Sequence, residues 1–482
     1  MLAVRPVGYI VGWLVMLLGL LMLPSMLLDL VDGNGNAEAF ALAAVLTIVL
    51  GAAVAVACAT SATRALSLKQ GFLLTAACWA LFPAIAGLPL MLGAPRLGFT
   101  DAYFEFTSAL TATGATVLTG IEQLPRGVLL WRMLTTWLGG IGVILLAMIL
   151  LPVLGIGGMQ LLRTADFNTL GKIMPRAKSI ALSIGAVYAA LTLACAVGFV
   201  WGGMSEFDAL SHAMASVATG GMGNYDGSFA GFSPAAQYVA IVFMLLGSFS
   251  FIRFVQAARG EPQALWRDSQ IRAFLAIYAG FALALVFARA LHGDAIDEPA
   301  VRAVLFNLAS VISTTGFATT DYSQWGPLAE VIFFSAMMVC GCSGSTTGGP
   351  KVFRYQLLLA AIRGEVRRLH TPHAVHVPRF QGVAVADEVF DSVIAFFMMF
   401  FLTLACGAIA LTLLGLDPVS AISGSAAMLS NVGPGLGPVI GPAGNYAALP
   451  DPAKWVCSFL MLAGRLEILT LYVLFTAAFW RA

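Results

Sequence analysis

Charge is what this sequence has least of. Only 10% of its 482 residues are Asp, Glu, Lys or Arg, against about 25% in an ordinary soluble domain. That scarcity excludes a soluble globular enzyme, and a hydrophobic content of 60% excludes a disordered chain. The few charges nearly cancel, 25 basic against 24 acidic, so no basic excess is left for nucleic acid to exploit. Histidine is also scarce, with five in all. No His-Glu-x-x-His string occurs, which excludes that zinc-peptidase motif. The Gly-Cys-Ser-Gly turn at 341–344 resembles that of an intramembrane serine protease, but no histidine follows His376 to serve it. Seven cysteines make no disulfide framework. Cys58, Cys78, Cys195, Cys406 and Cys457 lie in apolar runs as small hydrophobes. Cys340 and Cys342 flank one glycine, too close for a relaxed bridge, so all seven are expected to be reduced.

Apolar runs are what the chain has in abundance. Crossing a bilayer takes roughly 20 apolar residues of helix. Ten runs qualify, near 8–28, 38–60, 71–93, 127–151, 180–202, 234–257, 271–291, 327–362, 389–414 and 453–479. The first exceeds the roughly 7–15 residues of a signal-peptide core, so an uncleaved anchor is expected. Most of the 25 Lys and Arg fall on one side of these runs: Arg5, Arg64, Lys69, Arg163–Lys178, Arg253–Arg272, Lys351–Arg379 and Arg481. The positive-inside bias then puts both termini in the cytoplasm. Acids crowd the opposite side, among them Asp29, Asp101, Glu122, Asp208, Asp226, Asp297, Glu298 and Asp417. They either concentrate cations there or simply solvate the loops.

Four of the outward connections share a plan. Each holds a stretch of about 10–14 semi-apolar residues, too short to span, as in re-entrant segments. Each stretch ends in a small-residue turn: Thr-Ala-Thr-Gly-Ala-Thr (111–116), Val-Ala-Thr-Gly-Gly-Met (217–222), Ser-Thr-Thr-Gly-Phe-Ala (313–318) and Ser-Asn-Val-Gly-Pro-Gly (430–435). Aligned on the glycine, these give Ala112-Thr113-Gly114, Ala218-Thr219-Gly220, Thr314-Thr315-Gly316 and Asn431-Val432-Gly433. An apolar span follows each one. The expected fold is an all-α polytopic membrane protein of four parallel span, short-helix, turn, span repeats, preceded by two extra helices. The divisions expected are 1–66 for the extra pair, then 67–165, 166–265, 266–380 and 381–482 for the repeats. Thr100-Asp101, Ser205-Glu206, Asp297-Glu298-Pro299 and Asp417-Pro418 are start signals for the short helices. Their C-terminal ends would point inward and favour a cation. Non-helical backbone at membrane depth is tolerated only when buried in protein or lining a watery path. Four such turns around one axis form a ring of carbonyls able to replace a monovalent cation's hydration shell.

These turns, with Ser-Thr-Thr-Gly-Phe-Ala-Thr-Thr-Asp-Tyr (313–322), Asn-Val-Gly-Pro-Gly-Leu-Gly (431–437) and Gly-Arg-Leu-Glu-Ile-Leu-Thr (464–470), resemble the TrkH-type membrane subunit of the Trk/Ktr/HKT potassium transporter superfamily. The resemblance covers essentially the whole chain. It implies K+ as the transported ion, with the four turns as its selectivity filter and no organic cofactor. It also implies a homodimer in the bacterial inner membrane, in contact with lipid and with a cytosolic nucleotide-binding ring of the TrkA type. Met222 and Pro350 depart from the family pattern without removing a filter carbonyl. A sodium-permeable or mixed-cation relative is the near alternative, and an unrelated secondary transporter the distant one.

Two further features bear on gating. Gly341, Gly344, Gly348, Gly349 and Pro350 cannot sit in a continuous helix, so the run at 327–362 is expected to unwind midway. By resemblance, that glycine-rich loop at 341–350, with Lys351, is an intramembrane gate. Arg465 lies about a dozen residues into the last run. An arginine there costs at least about 2.5–3.5 kcal/mol on insertion scales and should face the protein interior. Glu467, two residues on, points to another face and should not neutralise it. Its fixed charge would be a barrier to cations near the glycine-rich loop. His370, His373 and His376, among Arg363, Arg367, Arg368 and Arg379, have metal-like spacing but no supporting Cys or carboxylate. They read as a solvated basic face, able to meet anionic lipid or a regulatory partner.

Overall fold

A computed structural model describes residues 4–59, 66–146, 177–291, 293–371 and 378–481. Helices dominate. The first run bends near Leu21 into α1 (Arg5–Leu20) and α2 (Leu23–Val31), and α3 (Ala37–Ala57) returns beside it. Their seam is made of small residues: Gly8 faces Cys58, Gly12 faces Gly51 and Ala55, and Gly19 faces Ala44 and Ile48. Small residues of this kind let membrane helices approach backbone to backbone.

Four units follow. The first has α4 (Leu68–Ala86) and α5 (Leu88–Leu92) leading in, the short helix α6 (Phe99–Leu110), and α7 (Arg126–Leu145) leading out. The second has α8 (Ala177–Trp201), the short α9 (Glu206–Val217), and α10 (Pro234–Gly247) with α11 (Phe251–Ala258). After a connecting turn, α12 (Gln263–Arg267), the third has α13 (Ser269–Leu291), the short α14 (Glu298–Ile312), and α15 (Pro327–Val339) with α16 (Val352–His370). The fourth has α17 (Asp387–Leu413), the short α18 (Pro418–Leu429), and α19 (Asp451–Arg465) with α20 (Ile468–Val473). The inner faces of the short helices are buried, while Leu46, Val197, Leu283, Met398 and many like them face outward, as a lipid-covered surface requires.

The short helices start where polar side chains can take up free N–H groups. Ser205 accepts from Asp208 N, Asp297 from Ala300 N, and Asp417 from Ser420 N. The first unit differs: Gly98 occupies the cap, and Asp101 is a first-turn acid that pairs with Lys454 (2.6 Å).

Span counting needs a correction. Seven described helical stretches are long and apolar enough to cross a membrane, and an eighth if the bent pair α10–α11 is one span. The other two expected runs are cut in half. The cut after α15 was expected, but those after α10 and α19 were not. At 248–250 the chain turns through 96°. At 466–467 it breaks with Glu467 at φ 57°. Periodicity missed both because neither stretch holds a proline or glycine to mark a break. The first of these breaks is stabilised by the glycine-rich loop. Cys342 N donates to Ser248 O (2.9 Å), Thr346 N to Gly247 O (3.3 Å) and Phe251 N to Gly344 O (3.0 Å). Two unwound segments thus satisfy each other's backbone, the requirement for irregular chain at membrane depth.

Two smaller corrections follow. A hairpin, β1 (Arg379–Phe380) paired antiparallel with β2 (Val383–Ala384), interrupts the helices. Its turn residue Gln381 accepts from Arg253 Nη2 (3.1 Å) and donates to Asp268 (3.4 Å), which ties the linker between units three and four to that between two and three. Asp29, expected to solvate an outward loop, is fully buried. It accepts from Asn34 Nδ2 (3.0 Å), Asn36 Nδ2 (2.9 Å) and Gly127 N (2.8 Å), and so pins the extra pair to the start of α7. His373, His376, Arg64 and the stretch 147–176 lie outside the described residues.

Asp29→Ala strands two buried donors, on Asn36 and Gly127, and a half-buried one on Asn34, at roughly 1–3 kcal/mol for each buried one left unpaired. A clear drop in thermal midpoint, measured on the detergent-solubilised protein, is expected. Asp29→Asn should give a smaller drop: its Oδ1 can still accept from Asn34 and Gly127 N, and only its amide opposes Asn36, whose own Oδ1 is held by Ala94 N (2.8 Å).

Candidate functional site

The short helices end alike. Thr111, Ala218, Ser313 and Ser430 close them in the right-handed region, and the next residue of each turns left-handed: Ala112 (φ 51°), Thr219 (49°), Thr314 (55°) and Asn431 (56°). The residue after that donates its N–H back to the helix at 2.8 Å: Thr113 to Ser108 O, Gly220 to Ala215 O, Thr315 to Ser310 O and Val432 to Ala427 O. A glycine at positive φ follows in every case: Gly114 (86°), Gly221 (62°), Gly316 (92°) and Gly433 (96°).

This alternation corrects the second alignment by one residue. Gly221, not Gly220, matches the other three glycines, and Gly220 takes the place of Thr113, Thr315 and Val432. Thr219 matches Ala112, and Ala218 is the helix C-cap. Two adjacent glycines gave the sequence no way to choose between the registers.

The four turns close on one another. A Cβ on Gly114 would lie 2.9 Å from the carbonyl oxygen of Gly220. Likewise, one on Gly221 would overlap the oxygen of Thr315, one on Gly316 that of Val432, and one on Gly433 that of Thr113. Each glycine thus abuts the preceding-residue carbonyl of the next unit, and the fourth unit returns to the first. Glycine is required twice over at these positions, by the left-handed backbone and by the close approach. Outside the ring lies a cavity of about 260 Å³, lined by Gly114, Gly221 and Gly316 with Met222, Tyr446 and Arg132.

Buried polar contacts back the ring. Arg132 pairs with Glu105 (Nε to Oε1, 2.8 Å), both with essentially no exposed surface. It also donates to Gly223 O (3.0 Å) and Met222 Sδ (3.3 Å). The unusual Met222 therefore meets a donor of its own. Arg132 and Glu105 escaped the sequence reading, although an ionisable pair in apolar runs is itself a functional signal.

On the other side the glycine-rich loop fits against the turns. Residues 340–350 are all buried. Gly348 N donates to Thr314 Oγ1 (2.9 Å), Thr219 Oγ1 to Thr346 Oγ1 (3.0 Å), and a Cβ on Gly348 would meet Ser430 O and Asn431. Gly344 (φ 71°) and Gly349 (65°) turn left-handed within the loop, and Gly341 sits tight against Thr347 and Ser248 O. Lys351 Nζ reaches back to Thr347 O and Oγ1.

Beside the loop is a cavity of only about 20 Å³, lined by Ser343, Gly344, Thr347, Gly348, Gly349, Lys351, Arg465 and Glu467. That is room for about one water. Arg465 is 3% exposed, and none of its three guanidinium nitrogens has a hydrogen-bond partner among the described residues. Glu467 does not neutralise it; its carboxylate bonds Arg354 Nη2 (2.5 Å) instead. Arg354 also donates to Pro350 O (3.0 Å) and lies 3.7 Å over the Phe396 ring. All seven cysteines are free thiols.

Comparison with known proteins agrees with this geometry. A family model described as "TrkH: Cation transport protein" matches residues 36–482. The chain is 45% identical over 420 residues to the Trk system potassium uptake protein TrkI of Halomonas elongata, covering 86% of this chain and 85% of that one. It is 38% identical over 485 residues to the Trk system potassium uptake protein TrkH of the same organism, covering 100% of both. The crystal structure of the potassium transporter TrkH from Vibrio parahaemolyticus superposes with a TM-score of 0.91, at 35% identity and 100% coverage of each chain.

The register is open to test. Gly221→Ala puts a side chain at φ 62° against the Thr315 carbonyl and should abolish K+-dependent thermal stabilisation of the purified protein. In Gly220→Ala the added methyl meets the Thr136 methyl and Ala112 but no ring carbonyl, and the loss of that stabilisation should be smaller than in Gly221→Ala.

Proposed function

The chain belongs to the TrkH family of cation transport proteins, and from that premise we propose that it carries potassium through the ring formed by its four turns. The activity is transport and not catalysis. The closed cycle of glycine–carbonyl contacts carries this reading. Four carbonyls from four units converge where the backbone is non-helical and buried, the arrangement that can stand in for a hydration shell. Thr113, Gly114, Gly220, Gly221, Thr315, Gly316, Val432 and Gly433 form its centre, with Ala112, Thr219, Thr314 and Asn431 setting the turns.

In this reading the glycine-rich loop is the gate, held shut. Gly341, Gly344, Gly348 and Gly349 let it lie flat under the turns, and Lys351 and the unpaired Arg465 place positive charge beside it. A cation leaving the ring meets sealed backbone and two positive side chains, with a cavity no larger than one water. The stretches 67–165, 166–265, 266–380 and 381–482 are the pore repeats, and 1–66 is an accessory pair. The resemblance supports a bacterial inner-membrane location, and the positive-inside bias supports cytoplasmic termini. The resemblance supports a homodimer working with a cytosolic nucleotide-binding ring of the TrkA type.

Expression in a potassium-uptake-deficient bacterium should restore growth at limiting potassium, and sodium should compete poorly with labelled rubidium uptake. Sodium carried as readily as rubidium would replace potassium selectivity with a mixed-cation passage. Gly316→Ser should abolish rescue while the protein still reaches the membrane. Arg465→Ala should raise basal flux by removing the barrier charge; flux and gating equal to wild type would retire that role.

A further inference from the structure

Behind each turn a side chain of the short helix reaches forward to the strand that leaves the ring. In the first unit, Glu105 Oε2 accepts from Val117 N (3.0 Å). In the second, His212 Nε2 accepts from Asn224 N (3.4 Å). In the third, Asn307 Oδ1 accepts from Thr319 N (3.1 Å). In the fourth, Ser423 Oγ accepts from Leu436 N (2.8 Å). The N–H is always that of the third residue after the ring glycine: 114 and 117, 221 and 224, 316 and 319, 433 and 436. The acceptor lies nine residues before the glycine in three units. In the fourth that place is Gly424, where a Cβ would strike Ile440, and Ser423 next to it supplies the oxygen.

Each acceptor is oriented by a second bond. Arg132 Nε and Thr116 Oγ1 hold Glu105 (2.8 and 2.9 Å). His212 Nδ1 faces the backbone oxygen of Asp208 (2.9 Å), which can only accept. The proton therefore sits on Nδ1, and Nε2 is left as the acceptor that Asn224 needs. Asn307 Nδ2 donates to Ala303 O (2.8 Å) and Thr319 Oγ1 (2.9 Å). The Ser423 hydroxyl lies 2.6 Å from Val419 O. All four side chains are at most 2% exposed. Chemistry this varied, converging on one backbone position, shows that the position and not the residue type is what the fold requires.

We propose that Glu105, His212, Asn307 and Ser423 are positioning residues that set the width of the carbonyl ring, and with it the discrimination between potassium and the smaller sodium ion. This rests on the transport reading above. Each clamp fixes the strand leaving a ring glycine to the helix entering it, so the loop cannot collapse around a smaller ion. Loss of an acceptor leaves a buried N–H unpaired and frees that strand to move.

The test is the ratio of labelled rubidium to sodium uptake in cells expressing the full chain. Ser423→Ala and Asn307→Leu, which remove acceptors, should lower the ratio by about twofold to tenfold, the range for losing one hydrogen bond. His212→Asn, which offers the second unit the acceptor that the third already uses, should keep the ratio near wild type. A merely structural role would lower both fluxes together and leave the ratio unchanged, and that result for Ser423→Ala, present at wild-type level in the membrane, overturns the proposal. Ser423→Ala decides the matter if the bulkier changes reduce expression, because it removes one hydroxyl from a helix. A wild-type chain that carries neither ion would instead sink the transport reading itself.

Discussion

Backbone that leaves the helix inside a membrane must find its partners within the protein. The central ring meets this constraint by having each of its four turns lean on the next. Gly114, Gly221, Gly316 and Gly433 each touch the carbonyl of the neighbouring unit, and the last touches the first. No turn is in place on its own account, so a distortion in one unit is passed to both neighbours. Left-handed backbone at the four non-glycine positions, Ala112, Thr219, Thr314 and Asn431, would cost a free-standing loop about 1–2 kcal/mol each. Inside a closed ring with saturated N–H groups, relaxing one such residue would break contacts in two units.

The same constraint governs the interruptions elsewhere. The bend at 248–250 and the glycine-rich stretch at 340–351 lie in different units, yet each completes the other's hydrogen bonding. The break at 466–467 is stabilised by an ion pair rather than by backbone: Glu467 meets Arg354 at the start of the helix that follows the loop. Two of the three interruptions flanking the pathway therefore converge on one segment. Arg465 stands next to this convergence with an unpaired charge, because Glu467 has been drawn away to Arg354.

Much of the architecture was legible in composition and spacing. Apolar runs, sub-spanning stretches and four small-residue turns report local properties that a sequence carries directly. The glycine-rich interruption was legible for the same reason, since five helix-breaking residues crowd into ten positions. What escaped depended on distant partners. Gly220 and Gly221 are indistinguishable until neighbouring units fix the register. The bend after Gly247 has no proline, and its cause lies in the loop that packs against it. Glu105, His212, Asn307 and Ser423 share no chemistry, so no motif search groups them. Their kinship is a shared backbone partner, the N–H three residues past a ring glycine, and it depends on the register of the second turn. Asp29 looked like any loop acid, because burial among two asparagines and a helix start cannot be read from its neighbours in the chain.

The splice between the bend and the loop also ties the pathway to the protein's edge. Immediately beyond the bend, α11 runs nearly perpendicular to the helix before it, and its first residue, Phe251, holds the Gly344 carbonyl. Thr346, two residues on, grips the chain just ahead of the bend and the turn of the second unit as well. A pull on α11 is therefore a pull on the latch, delivered through a handful of hydrogen bonds. The leverage belongs to a segment roughly a hundred residues upstream of the glycines it restrains.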